Sequence, residues 1–195
     1  MIDILYSLTK QKITYVFVAS ILFFTVGFLA ARNNYVVMTE LREQVIIADR
    51  DNGDVETALA KLREHVYSHM NTDLTSGSNP IHPPIQLKGR YDRLMANEAE
   101  RVKAENAAVQ ARGEAICGAQ YPAGGFNAPR VACVQNYVSQ NAVKENAVAE
   151  DLYKFDFVSP AWTPDLAGIS LLVGTVLFVG GLPFAIARLI KRFSI

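Results

Sequence analysis

Charged residues are missing from two long stretches of this chain. Ile13 to Ala31 is a run of 19 residues without Asp, Glu, Lys or Arg, and Leu166 to Ala187 is a second such run. Cysteine is scarce too, at two residues, and there are only three histidines and one tryptophan. No CxxC pair occurs, so the zinc ribbons and redox motifs built on that spacing are excluded. Net charge is also absent, at a formal value of zero. That total conceals an acidic middle: residues 33–165 carry 18 Asp or Glu against 13 Lys or Arg. A basic footprint for nucleic acid is therefore lacking, and no nucleic-acid partner is expected.

At about 1.5 Å per residue in a helix, each charge-free run is long enough to cross about 30 Å of hydrocarbon. Both are expected to be transmembrane helices, over 13–31 and 166–188. Lys10 and Lys12 precede the first; Arg188, Lys191 and Arg192 close the second. Lys and Arg collect on the cytoplasmic side. Both tails, 1–12 and 189–195, are therefore expected in the cytoplasm, with residues 32–165 forming an extracytoplasmic domain. The expected location is the plasma membrane, multi-pass, with the lipid bilayer as the first partner. Tyr15 and Trp162 stand where aromatic belts form. A cleaved signal peptide is the rival reading of the first run. Its apolar region is too long for one, and Leu29-Ala30-Ala31 puts leucine where a small residue belongs.

Small residues recur four apart in both runs, as Gly27 and Ala31 and as Ser170 and Gly174. In an apolar helix such pairs often do no more than tolerate a close neighbour. Gly180, Gly181 and Pro183 predict a kink near the end of the second run, because proline removes a helix hydrogen bond.

The middle reads as all-α. Val37, Leu41, Val45 and Ala48 make a helix stripe that continues the first run without a breaker and stops at Asp51-Asn52-Gly53. Asp54 then caps a second helix, with Val55, Leu59, Leu62 and Val66 on its inner face. A Ser, Asn, Gly and Pro-rich loop follows. A long third helix is expected from Leu87 to Cys117, burying Leu87, Tyr91, Leu94, Val102, Val109 and Ile116, with Glu98 and Glu105 as a solvated interruption. A fourth covers Val131 to Gln140, and Ala142 to Tyr153 is also expected to be helical. The economical fold is two transmembrane helices plus an extracytoplasmic antiparallel helical bundle.

Cys117 and Cys133 bracket a loop of 15 residues. Outside the cytoplasm disulfides persist, so a Cys117–Cys133 disulfide is expected; two buried free thiols are the alternative. Closing such a loop is worth about 3 kcal/mol in the chain-entropy model. Within it, Tyr121 and Phe126 flank Pro122-Ala123-Gly124-Gly125, a tip that could bind a partner if its aromatics are exposed. The Lys-Ser/Thr ending of a phosphate-binding loop is missing.

His65 and His69 lie four apart on the second helix, so one face can carry both imidazoles. With His82 from the loop they are the candidate metal ligands, since zinc needs at least three protein groups. Two partly exposed helix histidines are the ordinary alternative. Serines lack a nucleophile-elbow setting, so no enzyme and no cofactor are expected.

The two-span plan resembles the sensing half of bacterial four-helix receptors. About 12 residues precede the first run and about 7 follow the second, so no signalling module of that family is expected. Leu41-Arg42-Glu43-Gln44-Val45 is similar to a segment of LemA-like proteins, which run an N-terminal span into a long helix. His69-Met70-Asn71-Thr72-Asp73-Leu74 with Pro83-Pro84-Ile85-Gln86-Leu87-Lys88 resembles small two-span membrane proteins of reduced-genome bacteria. That likeness implies no function. The expected role is a non-enzymatic envelope module that scaffolds or docks partner proteins, a homo-oligomer included. The alternative is a ligand- or metal-sensing accessory subunit of a separate transducer or transporter.

Overall fold

A computed structural model describes residues 2–75, 81–122 and 127–193, with side chains over 12–75, 81–122 and 127–190. Among the described residues there are five α-helices: α1 (Ile2–Arg50), α2 (Val55–Ser68), α3 (Lys88–Gln120), α4 (Ala128–Asn141) and α5 (Leu166–Phe193). Two two-residue strands, β1 (Ile85–Gln86) and β2 (Lys154–Phe155), pair as a small sheet. The chain forms two compact units, residues 1–85 with 155–195, and residues 86–154.

The first unit is built on α1. It runs unbroken for 49 residues, about 73 Å at 1.5 Å per residue. The expected continuity from the first apolar run into Asp49 is thus present. Termination follows from the turn after Arg50. Asn52 adopts φ 53°, and the Gly53 and Asn52 N–H groups donate to the Ala48 and Asp49 carbonyls at 2.7 and 3.4 Å. Asparagine tolerates this left-handed conformation, and the bonds satisfy carbonyls left open at the helix end. Asp54 then caps α2 by accepting from the Thr57 N–H at 3.0 Å. Val55, Leu59, Leu62 and Val66 are all buried, as their spacing predicts. The facing stripe of α1 is Asn34, Met38, Val45 and Asp49. Of the four residues expected there only Val45 is fully buried; Val37, Leu41 and Ala48 are half-covered.

α5 lies antiparallel against α1. The helices touch through small residues. A Cβ added at Gly27 would stand 2.7 Å from Leu171 Cγ and 3.1 Å from the Leu171 backbone nitrogen. One at Gly174 would meet Phe24 at 3.2 Å. The Ser20 hydroxyl donates to the Gly174 carbonyl at 2.9 Å, and Ala31, Ala167 and Ser170 are buried. Small side chains allow this approach, and close packing is then the source of attraction. Helix α5 continues through Pro183 to Phe193. Both α1 and α5 are long and apolar enough to cross a membrane.

The second unit is an antiparallel hairpin of α3 and α4. Tyr137 lies over Gly113, where an added Cβ would come within 3.0 Å of the ring, and Arg130 lies over Gly118, 3.2 Å from such an atom. Two expectations fail here. Ile116 is exposed, not buried, and the buried positions are Gly113 and Cys117. Val102, Val109 and Ile116 repeat every seven residues, and in a straight helix of 3.6 residues per turn that spacing drifts off the contact face. Ala142 to Tyr153 is not a helix: residues 142–149 are irregular, and only a single 3-10 turn, Glu150–Leu152, follows. Side chains of α3 take the backbone hydrogen bonds of this segment, as described below.

Replacing Gly27 by Leu is expected to lower the stability of the α1–α5 pair by about 1–3 kcal/mol, the usual cost of overpacking. Thermal unfolding of the full chain in detergent measures it. Adding Leu171→Ala should restore part of the loss, because the displaced contact is mostly with that side chain.

Candidate functional site

Two groups of polar side chains carry the chemistry, one in each unit. The first is a collar around α1 one turn beyond Ala31. Asn34, in α1, is 7% exposed and donates its amide to Asp165 Oδ2 at 2.6 Å and to the Met70 carbonyl at 3.3 Å. Asp165 stands at the start of α5. Its Oδ1 accepts from the Gly168 N–H at 2.8 Å, as an N-cap, and from the Thr163 hydroxyl at 3.1 Å. The Thr163 hydroxyl accepts in turn from the Met70 N–H at 2.9 Å. Asn71 donates to the Ala31 carbonyl at 2.9 Å, and Thr72 donates to the His69 carbonyl at 2.8 Å. The collar therefore ties together α1, the end of α2 and the segment entering α5. Among the described residues no buried side-chain nitrogen or oxygen lacks a partner.

Burial pushes the Asp165 carboxyl up. The Gly168 N–H, the Asn34 amide, the Thr163 hydroxyl and the nearby His69 ring outweigh it, and the group ends below its ordinary value.

His65 and His69 sit on this collar. Their rings stack with centroids 4.3 Å apart, so the i, i+4 spacing does bring them together. His65 Nε2 meets the Asn34 carbonyl at 3.0 Å, and His69 Nδ1 meets the His65 carbonyl at 3.1 Å and the Ser68 hydroxyl at 2.9 Å. A carbonyl only accepts, so each of these ring nitrogens carries a proton. His65 Nδ1 and His69 Nε2 are left as the nitrogens available to a ligand. His82 is exposed. The Thr75 hydroxyl and N–H hold the Asp73 carboxyl below its ordinary value. Among the described residues no three of His, Cys, Asp and Glu converge to hold a metal ion.

The second group lies along α3. Arg101 donates to both oxygens of Glu98, at 2.6 and 2.8 Å, and to Glu105 at 2.8 Å. Glu98 Oε1 also accepts from the Asn146 N–H at 2.7 Å, and Arg101 reaches the Lys144 carbonyl at 3.4 Å. One turn further on, Asn106 donates to the Val143 carbonyl at 3.1 Å and accepts from the Val143 N–H at 2.8 Å. This reciprocal amide pair does for Val143 what a neighbouring strand would do. Residues 142–146 are thus held irregular by side chains of α3, and Glu98 is a clamp rather than a solvated interruption. Its pKa falls to about 2, chiefly through Arg101 and then the Asn146 N–H.

At the end of the hairpin Cys117 and Cys133 form a disulfide, with Cα atoms 5.9 Å apart. Tyr121 is half-buried at the end of α3. Phe126, its expected partner at the loop tip, lies outside the described residues. Beside the disulfide, Ile116 and Val131 expose their side chains, at 51% and 37%. The exposure of Val131 was not read from the sequence. Nor was the Asn34–Asp165 pair, because its members are 131 positions apart.

No protein family, curated protein or solved structure matches the chain.

Glu98 gives a pH prediction. Its folded pKa lies below its usual value of 4.5, so it stabilises the clamp above that pH. The contribution should fade as pH falls from about 4.5 toward 2. The protection of the Val143 and Asn146 amides against hydrogen exchange, taken relative to the intrinsic rate at each pH, should fall across that window. In Glu98→Gln the same amides should be weakly protected already at neutral pH, with little further loss on acidification.

Proposed function

We propose that the chain is a two-span membrane protein whose extracytoplasmic segment, residues 32–165, docks partner proteins without catalysing a reaction. The observation that carries the membrane reading is the outward apolar surface of α1 and α5. Phe28 is 65% exposed, Leu29 63% and Phe184 67%. A core helix of a soluble protein would have these side chains covered by protein. A patch of this extent calls for another apolar phase around it. Lys12 and Arg188 near the two outer ends, and an acidic middle, support cytoplasmic termini by charge bias. The disulfide supports the same orientation, because it persists in an oxidising compartment.

Docking is supported by the build of the hairpin. Among the described residues, α3 buries only Gly113 and Cys117, and α4 buries none. A covalent bond and side-chain clamps therefore hold the hairpin where a core would otherwise do so. Val131 and Val134, which line a groove between α3 and α4, are the apolar anchors of the proposed surface, rimmed by Gln110, Glu114 and Arg130. Interfaces commonly pair an apolar centre with such a polar rim. A photo-crosslinking residue at Val131 or Val134, introduced in membranes, should give one discrete adduct with a partner or a second copy. The same residue at exposed Lys103 should give none. Absence of any adduct from both anchor positions would count against docking.

The collar favours a second reading, a sensing accessory subunit. Two stacked imidazoles and a carboxylate sit where α1, α2 and α5 converge, so protonation or a ligand there would act on all three helices. Zinc or copper titration followed by calorimetry tests the metal form of this reading. Saturable binding lost in His65→Ala would support it; no heat above dilution would remove it.

A further inference from the structure

The α1–α5 pair is closed at its centre and open at one end. Phe17 packs edge-on against Phe178, with centroids 5.8 Å apart, and Ser20 bonds to the Gly174 carbonyl. Toward the start of α1 a groove of about 400 Å³ opens between the helices. Ile13 and Val16 from α1 and Leu177 and Phe184 from α5 line it. It exists because α5 has glycines there. A Cβ at Gly180 would meet nothing within 4 Å, whereas one at Gly181 would stand 3.2 Å from the Phe17 ring. Lys12 completes the lining, at the point where the charge-free run of α1 begins. Arg188 stands one turn beyond Phe184 on the same face of α5.

An apolar slot with a cation at one end fits an amphiphile that has an anionic head. The volume lies within the range of about 300–1,000 Å³ typical of small-molecule clefts. We infer that this groove binds an acyl chain of an anionic phospholipid, with the lipid phosphate held at Lys12. The inference rests on the membrane reading above. Under that reading the groove faces the cytoplasmic leaflet, where Lys12 lies level with the head groups. Arginine and lysine at this depth attract anionic lipid, and a snorkelling lysine keeps its stem along the slot.

Carbonate extraction of membranes comes first: a chain released into the wash overturns the membrane reading itself. For a retained chain, native mass spectrometry of the purified full-length protein then counts bound lipid. Phosphatidylglycerol, phosphatidylcholine and palmitate are the probes. One phosphatidylglycerol should bind at least about tenfold tighter than phosphatidylcholine, a difference of about 1.4 kcal/mol. Lys12→Gln should cut that preference about fivefold, the share of one basic residue near the surface. Gly180→Leu fills the slot where no atom stands, and should lose the bound lipid while extracting and unfolding like the parent. Leu29→Phe, on the outward face, should change nothing. Equal binding of both phospholipids, unaltered by Gly180→Leu, would mean boundary lipid only and overturn the inference. Tighter binding of palmitate than of phosphatidylglycerol would overturn the phospholipid assignment.

Discussion

The first unit depends on the close antiparallel seating of α1 on α5. Gly27 and Gly174 let the backbones approach, and a hydroxyl bond between Ser20 and the Gly174 carbonyl fixes the register. The Asn34–Asp165 bond then fastens the pair where the apolar run of α1 ends. Everything else in that unit is hung from this seam. Helix α2 returns along α1 and brings Met70 and the two histidines to the collar. Thr163 and Asp165 start α5 from the same cluster. Removing the small residues would part the helices; removing Asp165 would leave Asn34 and the first turn of α5 without their shared acceptor.

The second unit follows a different economy. Its helices meet over Gly113 and are stitched at one end by the disulfide. At the other, Glu98, Arg101 and Asn106 grip a returning segment by its backbone. Apolar burial has a small part in this, which leaves Ile116 and Val131 outward. A hairpin held by covalent and polar clasps can keep its shape and still leave apolar side chains outward.

Much of this was legible from residue order. The stripe of α2, its Asp54 cap, the stop at Asp51-Asn52-Gly53 and the cysteine pair all follow from local rules, and the structure has each of them. What was not legible is long-range and polar. Asn34 and Asp49 occupy the buried face of α1, yet a search for apolar stripes passes over them. Residues 142–149 contain alanine and glutamate and read as helix by propensity. Asn106 and Glu98 offer their backbone better partners than the next turn would. Ile116 follows a seven-residue repeat off the contact face, while Gly113, which has no side chain to score, makes the contact. In each case a tertiary partner overrides a local preference, and no single-chain pattern contains that partner.

The central claim is that the outward surface of α1 and α5 lies in lipid and that the collar marks its outer edge. Spin labels on single cysteines introduced at Leu22, Leu29, Val36 and Ile46 test it directly in bilayers, because Cys117 and Cys133 are already paired. Oxygen accessibility should exceed that of a water-soluble nickel reagent at Leu22 and Leu29. The order should reverse at Val36 and Ile46, beyond Asn34. Nickel accessibility at Leu22 and Leu29 equal to that at Ile46 would contradict the claim.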